Sequence, residues 1–256
     1  MRVLRLIGVT WWLQLKMRSR SAFDGVLSLL WPLFFATTVF LMYRGQHQSA
    51  ALLAAALGAA VMGVWSATST TAAAALQMER RQGTLELLVA APTPFPLLVF
   101  PLTLSMATIG GYSMVTTLLW GRLVFGIQIP VRDPIAFAAA ILVTVMAIGT
   151  LGFLIAITSV RYRTAWALGS ALEMPVWLIC GFLVPVASLP SWVRPVSWLL
   201  APTWGMAAIR SAASGGSPLL DLVRCAALAT GYGVVGALLS RRLLDSARTR
   251  ATLALT

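Results

Sequence analysis

The chain has 256 residues, 59% of them hydrophobic and 10% charged, against about a quarter charged in soluble domains, and its mean hydropathy is +0.87. A water-soluble core cannot hide that much apolar surface, so the composition excludes a soluble globular domain and points to an all-α integral membrane protein. The net charge of +12 would in a soluble protein suggest nucleic acid, but here the basic residues stand at the ends of apolar runs, where they set topology.

An apolar run needs about 20 helical residues to cross a hydrocarbon layer of ~30 Å. Six runs qualify, at approximately 22–43, 50–75, 97–121, 135–159, 165–187 and 219–240. Six transmembrane helices put both termini on one face, which then receives 13 of the 19 lysines and arginines. The termini and the loop between spans two and three are therefore expected to be cytoplasmic. The whole chain, 1–256, reads as one transmembrane domain.

In chain order, residues 1–20 pair Trp11, Trp12 and several leucines with basic residues at both ends. A secretory signal does not fit, because Gln14 and Lys16 cut the apolar stretch and Arg18-Ser19-Arg20 stands where a small-residue cleavage site belongs. An interfacial helix with its tryptophans at headgroup level is expected. The first span holds Pro32, a kink position, and the loop to span two, with the lone His47, is short. Span two is rich in alanine and glycine, which lets helices approach closely. Its later half carries Ser66, Thr68, Ser69, Thr70 and Thr71. Such hydroxyls either bond back to their own helix or form a stripe facing a translocation path, for which Ser69 and Thr70 are the candidates.

Residues 77–94, QMERRQGTLELLVAAPTP, are the longest polar interruption. Gly83 frees the backbone to turn, Thr84 can cap a short helix with Glu86 in its first turn, and the Pro92-Thr93-Pro94 stop ends it. The product is a short amphipathic helix at the membrane surface. Glu79-Arg80-Arg81-Gln82-Gly83-Thr84-Leu85-Glu86 resembles the E-R-x-x-G-T-L-E signature of ABC-2 type permeases, among them the daunorubicin-type drug exporters. The resemblance implies that this is a coupling helix docking on a separate ATPase subunit, with Glu79, Arg80, Arg81, Gly83, Thr84, Leu85 and Glu86 at the contact. Surface helices like that of residues 1–20 also occur in this family.

Span three has Gly110-Gly111 in its middle, permitting a bend or close packing, and ends near Arg122. Asp133-Pro134 reads as an N-cap with proline in the first turn of span four. That span closes at Arg161-Tyr162-Arg163, either a second docking loop through Arg161 and Arg163 or a membrane anchor. Span five holds Glu173, followed by Pro175. An ionisable group deep in a span is a functional candidate, facing a cavity or a paired arginine; with a later helix start it sits near the interface instead. Cys180 and Cys225 lie in or beside apolar runs and read as buried free thiols.

From Gly181 to Arg210, prolines 185, 190, 195 and 202 forbid a continuous helix, and Trp192, Trp198 and Trp204 suit an interface. Residues 185–210 therefore read as a broken, re-entrant outer segment between spans five and six. Gly181, Phe182, Pro185, Leu189, Pro190, Trp192, Pro202, Thr203 and Arg210 resemble, in order, a second hallmark of ABC-2 permeases. Residues 241–256 form a basic cytoplasmic tail, expected to be mobile.

The resemblance implies a multi-pass permease of the cell membrane, pairing with a second permease, identical or diverged, and with ATPase subunits. The chain contains no G-x-x-x-x-G-K-[ST] loop, and its one lysine is Lys16. It is thus expected not to be an enzyme itself, and ATP and magnesium belong on the partner ATPase. The expected substrate is a small amphiphile, a drug, an antibiotic or a lipid, moved outward. A glycan export permease and a non-transporting scaffold or immunity protein are the alternatives. One histidine and no G-x-S-x-G argue against an intramembrane hydrolase.

Overall fold

The computed structural model describes residues 2–19, 30, 33–34, 36–42, 49–83, 87–88, 91, 93–127, 131–161 and 166–250. Among them the regular structure is all helical: α1 (Arg2–Ser19), α2 (Ser49–Arg81), α3 (Pro96–Phe125), α4 (Pro134–Arg161), α5 (Trp166–Ile179), a 3-10 turn (Val186–Ser188), α6 (Arg194–Trp198), α7 (Ala201–Ser214) and α8 (Leu219–Arg250).

Among the described residues four helices are long and apolar enough to cross a membrane, over Leu52–Ala72 of α2, all of α3, Pro134–Thr158 of α4 and Leu219–Arg242 of α8. They answer to the second, third, fourth and sixth expected spans. The expected first span lies largely outside the described residues; its part 36–42 is helical and packs Ala36 and Phe40 against Ala56, Ala59 and Ile127. The fifth differs. Helix α5 has 14 residues, about 21 Å at 1.5 Å per residue, too short for a ~30 Å layer. It stops because Gly181 takes φ 77°, a left-handed conformation that ends helices, whereas hydropathy reads through that glycine to residue 187.

Two further boundaries move. Helix α2 continues through the polar residues Gln77–Arg81, since Gln, Met, Glu and Arg are good helix formers that need no membrane to stay helical. Helix α8 likewise runs on to Arg250, so the stretch from 241, expected as a mobile tail, is helical that far; residues 251–256 lie outside the described residues. At the start of α4 the expected cap is present, with Asp133 Oδ1 accepting the N–H groups of Ile135 and Ala136, each at 3.0 Å.

Helices α2, α3 and α4 pack on one another at the centre. Of the two expectations for Gly110-Gly111, close packing holds: α3 is continuous, and a Cβ at Gly110 would lie 2.8 Å from Val64 Cα. The main core joins Trp65 of α2, Met114 of α3 and Ile148 of α4 to Val176 and Trp177 of α5, the turn residue Phe182, and Met206 and Ile209 of α7. Helix α8 packs on α4 and α7, and α5 rests chiefly on α2. Helix α1 forms as expected and lies along α3, where Trp11 Nε1 donates to Thr108 Oγ1 at 3.1 Å. That contact lies part-way along α3.

Helix α7 runs antiparallel to α4. Gly205 stands against Thr144, and Gly215, just beyond α7, against Arg132, just before α4. The start of α7 therefore lies well inside the bundle, where Ala201 packs with Ala147 of α4 and Cys225 and Ala229 of α8. Cys180 and Cys225 are buried free thiols.

Candidate functional site

The residues singled out by sequence fall in three places along the bundle. At the Arg81 end, Glu79, Arg80 and Arg81 occupy the last turn of α2, rather than a loop or a separate helix. Glu79 is half-buried, and Arg81, Gln82 and Gly83 are exposed. The expected turn is present, with Gly83 at φ 71°. Thr84, Leu85 and Glu86 lie outside the described residues; the next described pair, Leu87 and Leu88, is helical. Leu88 packs against a second apolar cluster of Leu76, Phe95, Val99, Phe153 and Ile157, while Leu87 stays exposed. This cluster draws on α2, α3 and α4, so a push on the exposed segment is shared by three helices. Phe100 and Phe153 brace it edge to face, centroids 5.8 Å apart. Arg161 ends α4, and Arg163 lies outside the described residues.

The second place is the middle of α2. Thr68, Thr70 and Thr71 donate to the carbonyls of Val64, Ser66 and Ala67, which is the back-bonding alternative. Ser66 does not follow: its Oγ donates to Glu173 Oε1 on α5. Ser66 lies within the Leu52–Ala72 stretch that is long and apolar enough to cross a membrane, so the bond fastens Glu173 to that stretch. Thr70, one turn along from Ser66, is half-exposed; Ser69 is fully buried and its hydroxyl has no hydrogen-bond partner among the described residues.

The third place is the segment after α5. Three of the four prolines start an element instead of interrupting one: Pro185 precedes the 3-10 turn, Pro195 opens α6 and Pro202 opens α7, positions where the missing N–H costs nothing. Pro190 lies between the first two and accepts at its carbonyl from Val193 N, 3.0 Å. Arg194 staples this stretch, its Nε donating to Leu189 O at 3.1 Å and its Nη2 to Ala187 O at 2.7 Å. Trp192 and Trp198 are exposed. Trp204 Nε1 donates to Trp198 O at 2.9 Å, and the Arg224 guanidinium lies 4.4 Å above the Trp204 ring.

Arg210 has a different task. Its Nη2 donates to Gly181 O at 2.7 Å and Phe182 O at 3.4 Å, placing a cation on the orphan carbonyls past the end of α5. From the other side, Gly58 of α2 meets the same turn so closely that a Cβ there would be 1.9 Å from Phe182 O. Gly181, Phe182 and Arg210, singled out as one motif, are thus one clamp, and Gly58 completes it. A second unforeseen residue is Tyr232 of α8. Its hydroxyl donates to Leu199 O and accepts from Ala201 N at 3.3 Å, satisfying backbone at the break between α6 and α7. Gly58 was visible only as one of many small residues, and Tyr232 carried no local signal.

Residues 5–213, from α1 almost to the end of α7, match the family model described as ABC-2 type transporter. No curated protein matches the chain.

Proposed function

We propose, from the premise that this chain belongs to the ABC-2 type transporter family and is a membrane permease of an ABC transporter, that it exports a small amphiphile across the cell membrane. Membership implies an ABC ATPase partner in general. In the reading proposed here, ATP and magnesium are bound by two such subunits, and two permease chains, identical or diverged, line the path between them. The chain is not itself the enzyme. The six spans of this reading are the four long apolar helices, the apolar run 22–43, and the run 165–187, of which α5 is the helical part, with 185–210 as the re-entrant outer segment after it. The distribution of arginines turns the Arg81 end and both termini toward the cytoplasm.

The observation that carries the reading is the exposed end of α2. A charged turn, Glu79 to Gly83, with Leu87 beyond it, projects from an apolar cluster shared by three helices, as a docking element that passes motion inward requires. Glu173, Ser66 and Thr70 form the polar part of the path; Ser69, buried in this conformation, joins it only when the helices around it part.

The test is purification of the full chain from its native membrane in mild detergent. A soluble P-loop subunit should copurify, and alanine at both Glu79 and Glu86 should lower stimulated ATP hydrolysis by about tenfold or more, the scale of ~1.4 kcal/mol or above in coupling. Recovery of the chain alone, or unchanged hydrolysis and export in the double variant, overturns the reading in favour of a non-transporting scaffold.

A further inference from the structure

We infer that Glu173, held by Ser66, recognises the cationic group of the transported molecule, so that the substrate class is amphiphilic cations, protonated amines above all. This rests on the permease reading and narrows it. The argument starts from how α5 is mounted. It is fastened through Val176 and Trp177 in the main core, while Leu172, Met174 and Leu178 remain exposed. Glu173 is half-buried at the border between those two sides.

Among the described residues the recorded partner of Glu173 is a hydroxyl, not a cation. In the permease reading Ser66 and Glu173 lie within the membrane, where a carboxylate is costly, and one hydroxyl offsets only part of the lost hydration. A ligand cation relieves that cost, a neutral ligand leaves it, and an anion adds to it. The surrounding turn favours the same charge. Pro175 lies inside α5 and has no N–H, so the Ala171 carbonyl four residues earlier loses its helical donor. The polar atoms it adds are therefore acceptors. Leu172 and the flexible Met174, on either side in sequence, offer apolar contact for the body of an amphiphile.

Ser66 acts as a positioning residue, holding the carboxylate against α2. The pairing explains a charged residue that contributes nothing to the core. It also predicts selection by charge rather than by shape.

The test is equilibrium binding to the purified full chain in lipid nanodiscs, with tetraphenylphosphonium as probe and tetraphenylborate as its anion of matched size. Tetraphenylphosphonium should bind saturably and tetraphenylborate should not. Glu173→Gln, which keeps the shape and can still accept from Ser66, should bind the cation at least about tenfold more weakly. Glu173→Asp should stay within about threefold of the native chain, separating loss of charge from misfolding, and Ser66→Ala should show an intermediate loss. The inference is overturned if the native chain shows no saturable cation binding, if it binds both ions equally, or if Glu173→Gln binds as tightly as the native chain. No ATPase is present in this assay, so it can fail while the copurification succeeds, and the reverse.

Discussion

Alanine at Gly58 tests the clamp at the end of α5. Its Cβ would stand 1.9 Å from Phe182 O and 2.9 Å from Phe182 C, both backbone atoms that no rotamer change can move. An ordinary contact needs about 3.5 Å, so α2 and the turn must separate by roughly 1.5 Å. Overpacking of this kind costs ~1–3 kcal/mol. Shifting the turn also strains the Arg210 bonds to Gly181 O and Phe182 O, and a hydrogen bond from a charged donor contributes about 1.5–3 kcal/mol. Against this, alanine gains at most ~1 kcal/mol of helix propensity over glycine. The net is a loss of about 2–4 kcal/mol, or roughly 5–15 °C in melting midpoint. Thermal unfolding of the full chain in nanodiscs measures it, with Gly231→Ala as control because among the described residues nothing lies within 4 Å of a Cβ there. If Gly58→Ala melts at or above Gly231→Ala, the contact does not hold the turn and the reasoning fails.

Two other substitutions probe polar groups in opposite directions. Tyr232→Phe removes the hydroxyl that serves Leu199 O and Ala201 N, and should cost about 1–3 kcal/mol; Tyr112→Phe, at an exposed site, should change the midpoint little, and equal effects would deny Tyr232 its role at the break. Ser69→Ala removes a buried hydroxyl that has no partner among the described residues, so the same unfolding assay should show stability unchanged or raised by about 1 kcal/mol; a clear loss would mean that the Ser69 hydroxyl is satisfied and refute this.

What was legible in the sequence is what short stretches decide for themselves. Asp133-Pro134 specifies a cap and a helix start within four residues, Gly83 specifies a turn, and Pro185, Pro195 and Pro202 mark the openings of elements. The errors came where hydropathy stood in for structure. The apolar run through residue 187 hides the left-handed glycine that ends α5, and the charges of Gln77–Arg81 look like a loop although their side chains favour continued helix. The site was legible only as a set of residues. That Ser66 rather than Ser69 meets Glu173, or that Arg210 returns to Gly181, is decided by contacts between helices far apart in the chain, and no local pattern records them.

The clamp has a mechanical consequence. At its Gly181 end α5 is gripped from two sides, by the α2 backbone at Gly58 and by Arg210 on α7, while along its length it leans chiefly on α2. It is therefore built as a lever whose fulcrum is the Gly181–Phe182 turn and whose arm is about 21 Å long at 1.5 Å per residue. A tilt about that fulcrum displaces the Trp166 end most. Glu173, about half-way along, travels about half as far.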